Sequence, residues 1–121
     1  MISGAIDILK KFPQHEAGLV FVSDHGESLG ENGLYLHGFP YAFAPEEQTR
    51  VPMLLWMSET MRREDHVDYE KLKAAAPGME LSHDNLFHSI LGLVEIDTEL
   101  YDPGLDLFLD FRTKKLPYAK D

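Results

Sequence analysis

The sequence contains no cysteine among its 121 residues. This absence excludes disulfide bonds, thiolate zinc sites and cysteine nucleophiles. Basic residues are also few, since 11 Lys and Arg stand against 21 Asp and Glu and give a net charge of -10. Without a basic face to bind phosphates, the chain is not expected to be a general nucleic-acid binder. The acidic balance instead suits divalent cations or a cationic substrate.

Long apolar runs are missing as well. No run approaches the roughly 20 residues that a membrane-spanning helix needs, so no membrane span is predicted in this chain. The opening residues Met1–Phe12 lack the basic start of a secretory signal peptide. What remains is an ordinary globular composition, with 44% hydrophobic and 26% charged residues. That composition is enough for one modest domain with a core.

Apolar patterning predicts an α/β fold. Residues Ile2–Phe12 carry apolar side chains at helical spacing and are followed by Pro13, which ends a helix. Gly18–Val22 and Val51–Met57 are short apolar runs whose length favours strands buried on both faces, as in a parallel sheet. A helix followed by a buried strand is typical of α/β proteins.

Two further helices are predicted in the second half of the chain. The first covers Tyr69–Ala76 and ends at Pro77-Gly78. The second runs from Asp84 to about Val94, with Ser82 or His83 as its cap. Four apolar residues form the stripe of this second helix that we expect to face the core: Leu86, Ile90, Leu93 and Val94.

The residues that could carry chemistry follow the first strand. Asp24 and His25 come directly after it, and Glu27 and His37 lie within the next dozen residues of a glycine-rich loop. Sites in α/β sheets form just beyond the carboxyl ends of strands, so His37 is expected to return close to Asp24 and His25. Oxygen and nitrogen donors without sulfur suit zinc, manganese or magnesium. A plain turn remains the alternative for the Asp-His pair, because Asp commonly serves turns.

A second motif uses the same loop. Gly26–Gly30 matches G-x-S-x-G, the nucleophile elbow of α/β-hydrolases, with Ser28 as the nucleophile. The fit is poor, because an elbow needs its serine on a sharp turn directly off the strand and Ser23, Asp24 and His25 intervene here. We therefore expect Ser28 to belong to a short turn or helix start, where its hydroxyl caps backbone N–H groups or holds the loop, rather than to act as a nucleophile.

A longer resemblance covers most of the chain. The string FVSDHGESLGENGLYLHGFPYAFAPEEQTRVPMLLW, and later LSHDNLFHSILGLVEIDTELYDPGLDLF, resemble the C-terminal metal-site segment of the lipid A phosphoethanolamine transferases. These enzymes belong to the sulfatase/alkaline-phosphatase superfamily. The resemblance implies an α/β/α sandwich around a largely parallel sheet, of which residues 1–121 would be the C-terminal part.

The same resemblance implies roles for the loop residues. Asp24 and His25 would be zinc ligands, with manganese or magnesium less favoured, and His37 and Glu27 would bind substrate or a second metal. The implied chemistry is ping-pong transfer of phosphoethanolamine from phosphatidylethanolamine, through a metal-activated threonine, to a lipid A phosphate. Such a parent enzyme would be anchored in the inner membrane and would act on its periplasmic face.

The chain also departs from that family. None of the 23 residues before Asp24 is a threonine, and the N-terminal membrane helices are missing. We therefore expect the C-terminal piece of a larger enzyme, inactive alone. Two other interpretations stay open: a sulfatase or phosphoglycerol-transferase relative, and a non-catalytic module that binds a metal or a partner. The acceptor is also open among lipid A, core sugar and periplasmic glucan.

Overall fold

The computed structural model describes residues 1–64 and 66–116, and the chain divides into two units. Unit 1 comprises Met1–Phe12 and Ala17–Met57. Unit 2 comprises Pro13–Glu16 and the described residues from Ser58 onward. No helix in either described range is long and apolar enough to cross a membrane.

Unit 1 carries the strands. Its elements in chain order are α1 (Ile2–Leu9), β1 (Gly18–Val22), β2 (Ser28–Leu29), β3 (Tyr35–Leu36), α2 (Glu46–Thr49) and β4 (Met53–Met57). Strand β1 has the predicted bounds. Strand β4 begins two residues later than predicted, and Pro52, which has no N–H to donate to a sheet, lies just before it. Helix α1 ends before Phe12 because the last predicted turn continues as tighter bonds, Lys11 N–H to Ile8 O and Phe12 N–H to Leu9 O.

The predicted parallel sheet is not found among the described residues, which form only antiparallel pairs. Strand β1 pairs with β4 from Gly18↔Met57 to Val22↔Met53, and β2 pairs with β3. The prediction that both strands are buried on both faces is wrong. Val20 and Leu54 lie on opposite faces of the β1–β4 pair, and each is 37% exposed. An apolar run favours a strand, but it fixes neither the direction of the partner strand nor the burial of both faces.

Unit 2 is helical. It contains α3 (Glu59–Glu64), α4 (Tyr69–Ala75) and α5 (Asp84–Leu93), with single 3-10 turns at Ala76–Gly78, Pro103–Leu105 and Leu109–Phe111. Asp68 caps α4 by accepting the Lys71 N–H at 3.0 Å, which satisfies a donor of the first turn. The buried apolar side chains of this unit are Val67, Leu72, Leu107, Phe108, Phe111 and Leu116.

Helix α5 buries a different face from the predicted one. Ser89 and Gly92 are its buried residues, whereas Ile90 is 46% and Val94 is 55% exposed. The face with the small residues is buried because the following segment packs against it. The Ser89 hydroxyl accepts the Leu107 N–H at 2.9 Å. At the start of α5, the Ser82 hydroxyl accepts the Asp84 N–H at 3.2 Å. Ser82, not the His83 side chain, thus supplies the capping oxygen.

Candidate metal centre

Three side chains of the loop after β1 converge on one place in unit 1. One ligand atom from each of His25, Glu27 and His37 lies within 4.8 Å of the others. The imidazole rings of His25 and His37 stack, with centroids 3.9 Å apart and planes 26° apart. The predicted return of His37 to the end of β1 is therefore confirmed. Two imidazoles and one carboxylate at this spacing form a possible metal-binding group.

Hydrogen bonds orient both imidazoles. His25 Nδ1 lies 2.9 Å from the Gly26 carbonyl oxygen, and His37 Nδ1 lies 3.1 Å from Glu27 Oε2. If Nδ1–H donates in each contact, the Nε2 lone pair is available to a cation. Metal-ligating histidines are commonly oriented in this way by a carbonyl or a carboxylate on the other ring nitrogen. The three side chains are between 42% and 48% exposed, so an ion could enter from solvent.

Asp24 lies beside this group rather than within it. Its carboxylate accepts the backbone N–H of His25 at 3.1 Å, and Oδ2 lies 3.9 Å from His25 Nε2. The side chain is 90% exposed. The structure therefore places Asp24 at the carboxyl end of β1 as predicted, next to His25, while the close set is His25, Glu27 and His37.

The short hairpin β2–β3 explains why His37 meets Glu27. Ser28 pairs with Leu36 and Leu29 with Tyr35, so the residues just outside the pair, Glu27 and His37, come to lie opposite each other. The turn is held by Glu31, whose carboxylate accepts the Leu29 N–H at 2.7 Å. Hydrogen bonds to the backbone N–H of Glu31 itself, and then of Leu29, lower the pKa of the Glu31 carboxyl.

Comparisons with known proteins place this chain in a family. The Sulfatase family model matches residues 1–96. The chain belongs to the sulfatase family. The phosphoethanolamine transferase EptA of Escherichia coli K12 is 46% identical over 108 residues, which cover 88% of this chain and 20% of that relative. This sulfatase-family chain therefore spans about one fifth of the length of the curated relatives it matches.

Solved structures agree with this placement. The soluble domain of lipooligosaccharide phosphoethanolamine transferase A from Neisseria meningitidis superposes with a TM-score of 0.89 at 40% identity, covering 93% of this chain and 34% of that one. The C-terminal periplasmic domain of phosphoethanolamine transferase EptC from Campylobacter jejuni gives a TM-score of 0.72 at 43% identity, covering 88% and 33%. The resemblance to phosphoethanolamine transferases read from the sequence is confirmed.

Ser28 does not form a nucleophile elbow in this sulfatase-family chain. It is 1% exposed, and its hydroxyl accepts a hydrogen bond from Gln48 Nε2 at 2.8 Å. A nucleophile must be reachable by substrate, so the elbow interpretation is excluded. The expected turn or helix start at Ser28 is wrong, because Ser28 lies in strand β2. Its hydroxyl joins this strand to α2 through Gln48, in line with the expected role of holding the loop.

Two further histidines, His83 and His88, lie in unit 2, beside and on α5. His88 Nδ1 accepts the Asp102 N–H at 3.0 Å, which ties the following turn to the helix. His83 precedes the helix and makes no capping bond with its side chain. Neither belongs to the close group formed by His25 and its two partners.

Gln48 is the residue of this site that sequence reasoning missed. Its side chain is buried at 6% exposure and contacts the segments on both sides of the metal-binding group. The signal available in the sequence was a polar glutamine shortly before Pro52 and the apolar β4 run. That signal does not distinguish a buried glutamine from an exposed one.

Proposed function

We propose that this chain is the C-terminal part of a phosphoethanolamine transferase catalytic domain and carries part of its zinc site. The observation that carries the proposal is the convergence of His25, Glu27 and His37 within 4.8 Å, in a chain 46% identical to EptA. The relatives' names support lipid A as the class of acceptor and a phosphoethanolamine group as the transferred unit.

The donor set fits zinc better than the alternatives. Zinc takes imidazole and carboxylate ligands in small coordination numbers, whereas magnesium favours all-oxygen sites with bound water. Two imidazoles in a group of three donors therefore favour zinc over magnesium, and manganese shares the preference for oxygen. Asp24, which is largely exposed beside His25, is proposed as a further ligand.

The residues of the chain would act on the donor phosphate by position and charge. His25 and His37 are held by the Gly26 carbonyl and by the Glu27 carboxylate, so they can present nitrogen lone pairs without first reorienting. A zinc ion bound here would supply the positive charge that phosphoryl transfer needs and would activate a hydroxyl nucleophile. The nucleophilic threonine is proposed to lie outside this chain, because none precedes Asp24.

The setting proposed for the parent enzyme is the periplasmic face of the inner membrane, with phosphatidylethanolamine as donor. An integral membrane phosphoethanolamine transferase from Neisseria meningitidis superposes with a TM-score of 0.89, and the Campylobacter jejuni neighbour is a periplasmic domain. These two relatives support a membrane-bound parent enzyme with a periplasmic domain.

Calorimetric titration with zinc tests the site. The wild-type chain should bind zinc weakly, since a catalytic zinc site normally has three protein ligands and this one is open to solvent. His25→Ala and His37→Ala should each weaken binding by at least about tenfold, because each removes a ligand. His83→Ala is the matched control, since it removes an imidazole beside α5. Equal zinc binding by His25→Ala and the wild type would place the ion elsewhere and refute the proposed site.

A transfer assay tests the second part of the proposal. The purified 121-residue chain, zinc, phosphatidylethanolamine and lipid A should yield no phosphoethanolamine-modified lipid A by mass spectrometry, because the threonine nucleophile is proposed to lie outside the chain. A parallel reaction with a relative's full-length enzyme provides the positive control for substrates and detection. Product formed by the chain alone would show that it carries its own nucleophile.

A further inference from the structure

We propose that Gln48 is the positioning residue of the metal-binding group, fixing the two chain segments that carry His25, Glu27 and His37. The inference rests on the proposed function only in naming zinc as the ion. The geometric claim, that Gln48 sets the distance between the two imidazoles, stands on the hydrogen bonds of the chain itself.

The primary amide of Gln48 uses its bonding capacity on residues that flank the group. Nε2 donates to Ser28 Oγ at 2.8 Å and to the Leu36 carbonyl oxygen at 3.1 Å, and Oε1 accepts the Phe39 N–H at 3.4 Å. Ser28 follows Glu27 directly, while Leu36 and Phe39 lie on either side of His37. One buried side chain therefore holds both limbs of the hairpin.

The backbone of Gln48 holds the chain beside His25, the third member of the metal-binding group. Its carbonyl oxygen accepts the Gly26 N–H at 2.9 Å, and Gly26 lies between His25 and Glu27. Any side chain at position 48 keeps this bond. Substitution of Gln48 therefore removes the amide bonds to the hairpin while leaving the anchor beside His25 in place, which makes the side chain's role separable.

Backbone strain next to His37 supports the same role. Leu36 has a φ of 66°, in the left-handed region that a bulky side chain rarely occupies. Such a conformation persists only where the surroundings hold it. The bond from Gln48 Nε2 to the Leu36 carbonyl is one such restraint, and Leu36 directly precedes His37. Without this bond, Leu36 is expected to relax and to carry His37 away from His25.

Two readouts on the full chain test the proposal. In the metal-free protein, nuclear Overhauser effects between the His25 and His37 ring protons report the 3.9 Å stack directly. Zinc affinity reports the site when loaded. Gln48→Met keeps the side chain's length and removes the amide. We expect it to abolish the Overhauser effects between the two rings. We also expect it to weaken zinc binding by about 10–100-fold, the loss that follows when a group that orients the metal ligands is removed.

Controls separate positioning from a general loss of stability. Ser89→Ala removes a buried hydroxyl in unit 2, where it accepts the Leu107 N–H, and should leave both readouts unchanged. Gln48→Glu serves if Gln48→Met fails to fold, because it keeps an acceptor for Phe39 but cannot donate to Leu36. Adding Leu36→Gly to either Gln48 variant should restore part of the ring-proton signal, since glycine adopts the positive φ without strain.

Each outcome decides one of the two claims. A folded Gln48 variant that keeps the Overhauser effects between the two rings would overturn the positioning role, whatever happens to zinc. A wild-type chain that shows these effects but binds no zinc would refute the metal proposal and leave the positioning role standing. Absence of these effects in the metal-free wild-type chain would also overturn the positioning role, because the stacked arrangement of His25 and His37 that Gln48 is proposed to hold would not exist.

Discussion

Replacing Gly26 with alanine should open the contact between the site loop and α2. Gly26 donates its N–H to the Gln48 carbonyl at 2.9 Å. An added Cβ would overlap the carbonyl oxygen of Glu47 and would lie 2.9 Å from its carbonyl carbon and 3.2 Å from the Gln48 Cα. All three atoms belong to backbone, so no side chain can swing aside to make room.

The magnitude follows from two terms. Forcing a methyl group into a filled space costs roughly 1–3 kcal/mol. If α2 moves away to accommodate it, the hydrogen bond from Gly26 to Gln48 is lost as well, which adds about 0.5–1.5 kcal/mol. Together they predict that the free energy of unfolding of unit 1 falls by about 1.5–4.5 kcal/mol, a large part of a typical domain's total stability.

Urea denaturation followed by tryptophan fluorescence measures this change. Trp56 is the single tryptophan of the chain and lies in β4 of unit 1, so its emission reports the affected unit. Gly4→Ala is the matched control, because nothing lies within 4 Å of a Cβ at that position in α1. Alanine there should be neutral or stabilising by up to about 1 kcal/mol. A Gly26→Ala chain within about 0.5 kcal/mol of the wild type would refute the reasoning.

Three further predictions concern other positions. Gly92→Ala should destabilise unit 2 by about 1–3 kcal/mol in circular dichroism melts, because a Cβ on α5 would overlap the buried Asp106 carboxylate; an unchanged melt would contradict this packing. Ser28→Ala should cost roughly 1–3 kcal/mol by leaving the Gln48 amide short of an acceptor, and a fluorophosphonate probe should leave wild-type Ser28 unlabelled in mass spectra. The pKa of the Glu31 carboxyl is lowered in the folded state. Its carboxylate therefore stabilises the fold fully at pH values above the ordinary pKa of 4.5, and this stabilisation is lost as the pH falls through the lowered pKa. The stability difference between wild type and Glu31→Gln in urea should therefore be present at neutral pH and vanish in acid, and a difference that grows in acid would contradict the assignment.

Local sequence patterns predicted strand β1 and the convergence of the site loop. The apolar run Leu19–Val22 set the bounds of β1, and the order of Asp24, His25 and His37 after it predicted their meeting. These inferences succeed because they depend on residues close in the chain and on one rule, that sites form at strand ends.

Features set by distant segments were not predictable in the same way. The antiparallel pairing of β1 with β4 depends on how the chain returns after the loop, which an apolar run does not encode. The buried face of α5 depends on a segment 18 residues further along the chain, where the Leu107 N–H donates to the Ser89 hydroxyl. Gln48 contacts Ser28 across 20 residues, and its carbonyl accepts the Gly26 N–H across 22 residues.

The β1–β4 pair has a practical consequence for the behaviour of the chain in solution. Each strand has one strand partner among the described residues, and a strand at the edge of a sheet is a place where another strand can add by main-chain hydrogen bonding. Another copy of the chain can add there by backbone hydrogen bonding, assisted by the apolar side chains of Val20 and Leu54 on the two faces. Self-association should therefore rise with protein concentration. A dilution series then tells whether a zinc isotherm or a ring-proton signal originates within one chain or between two.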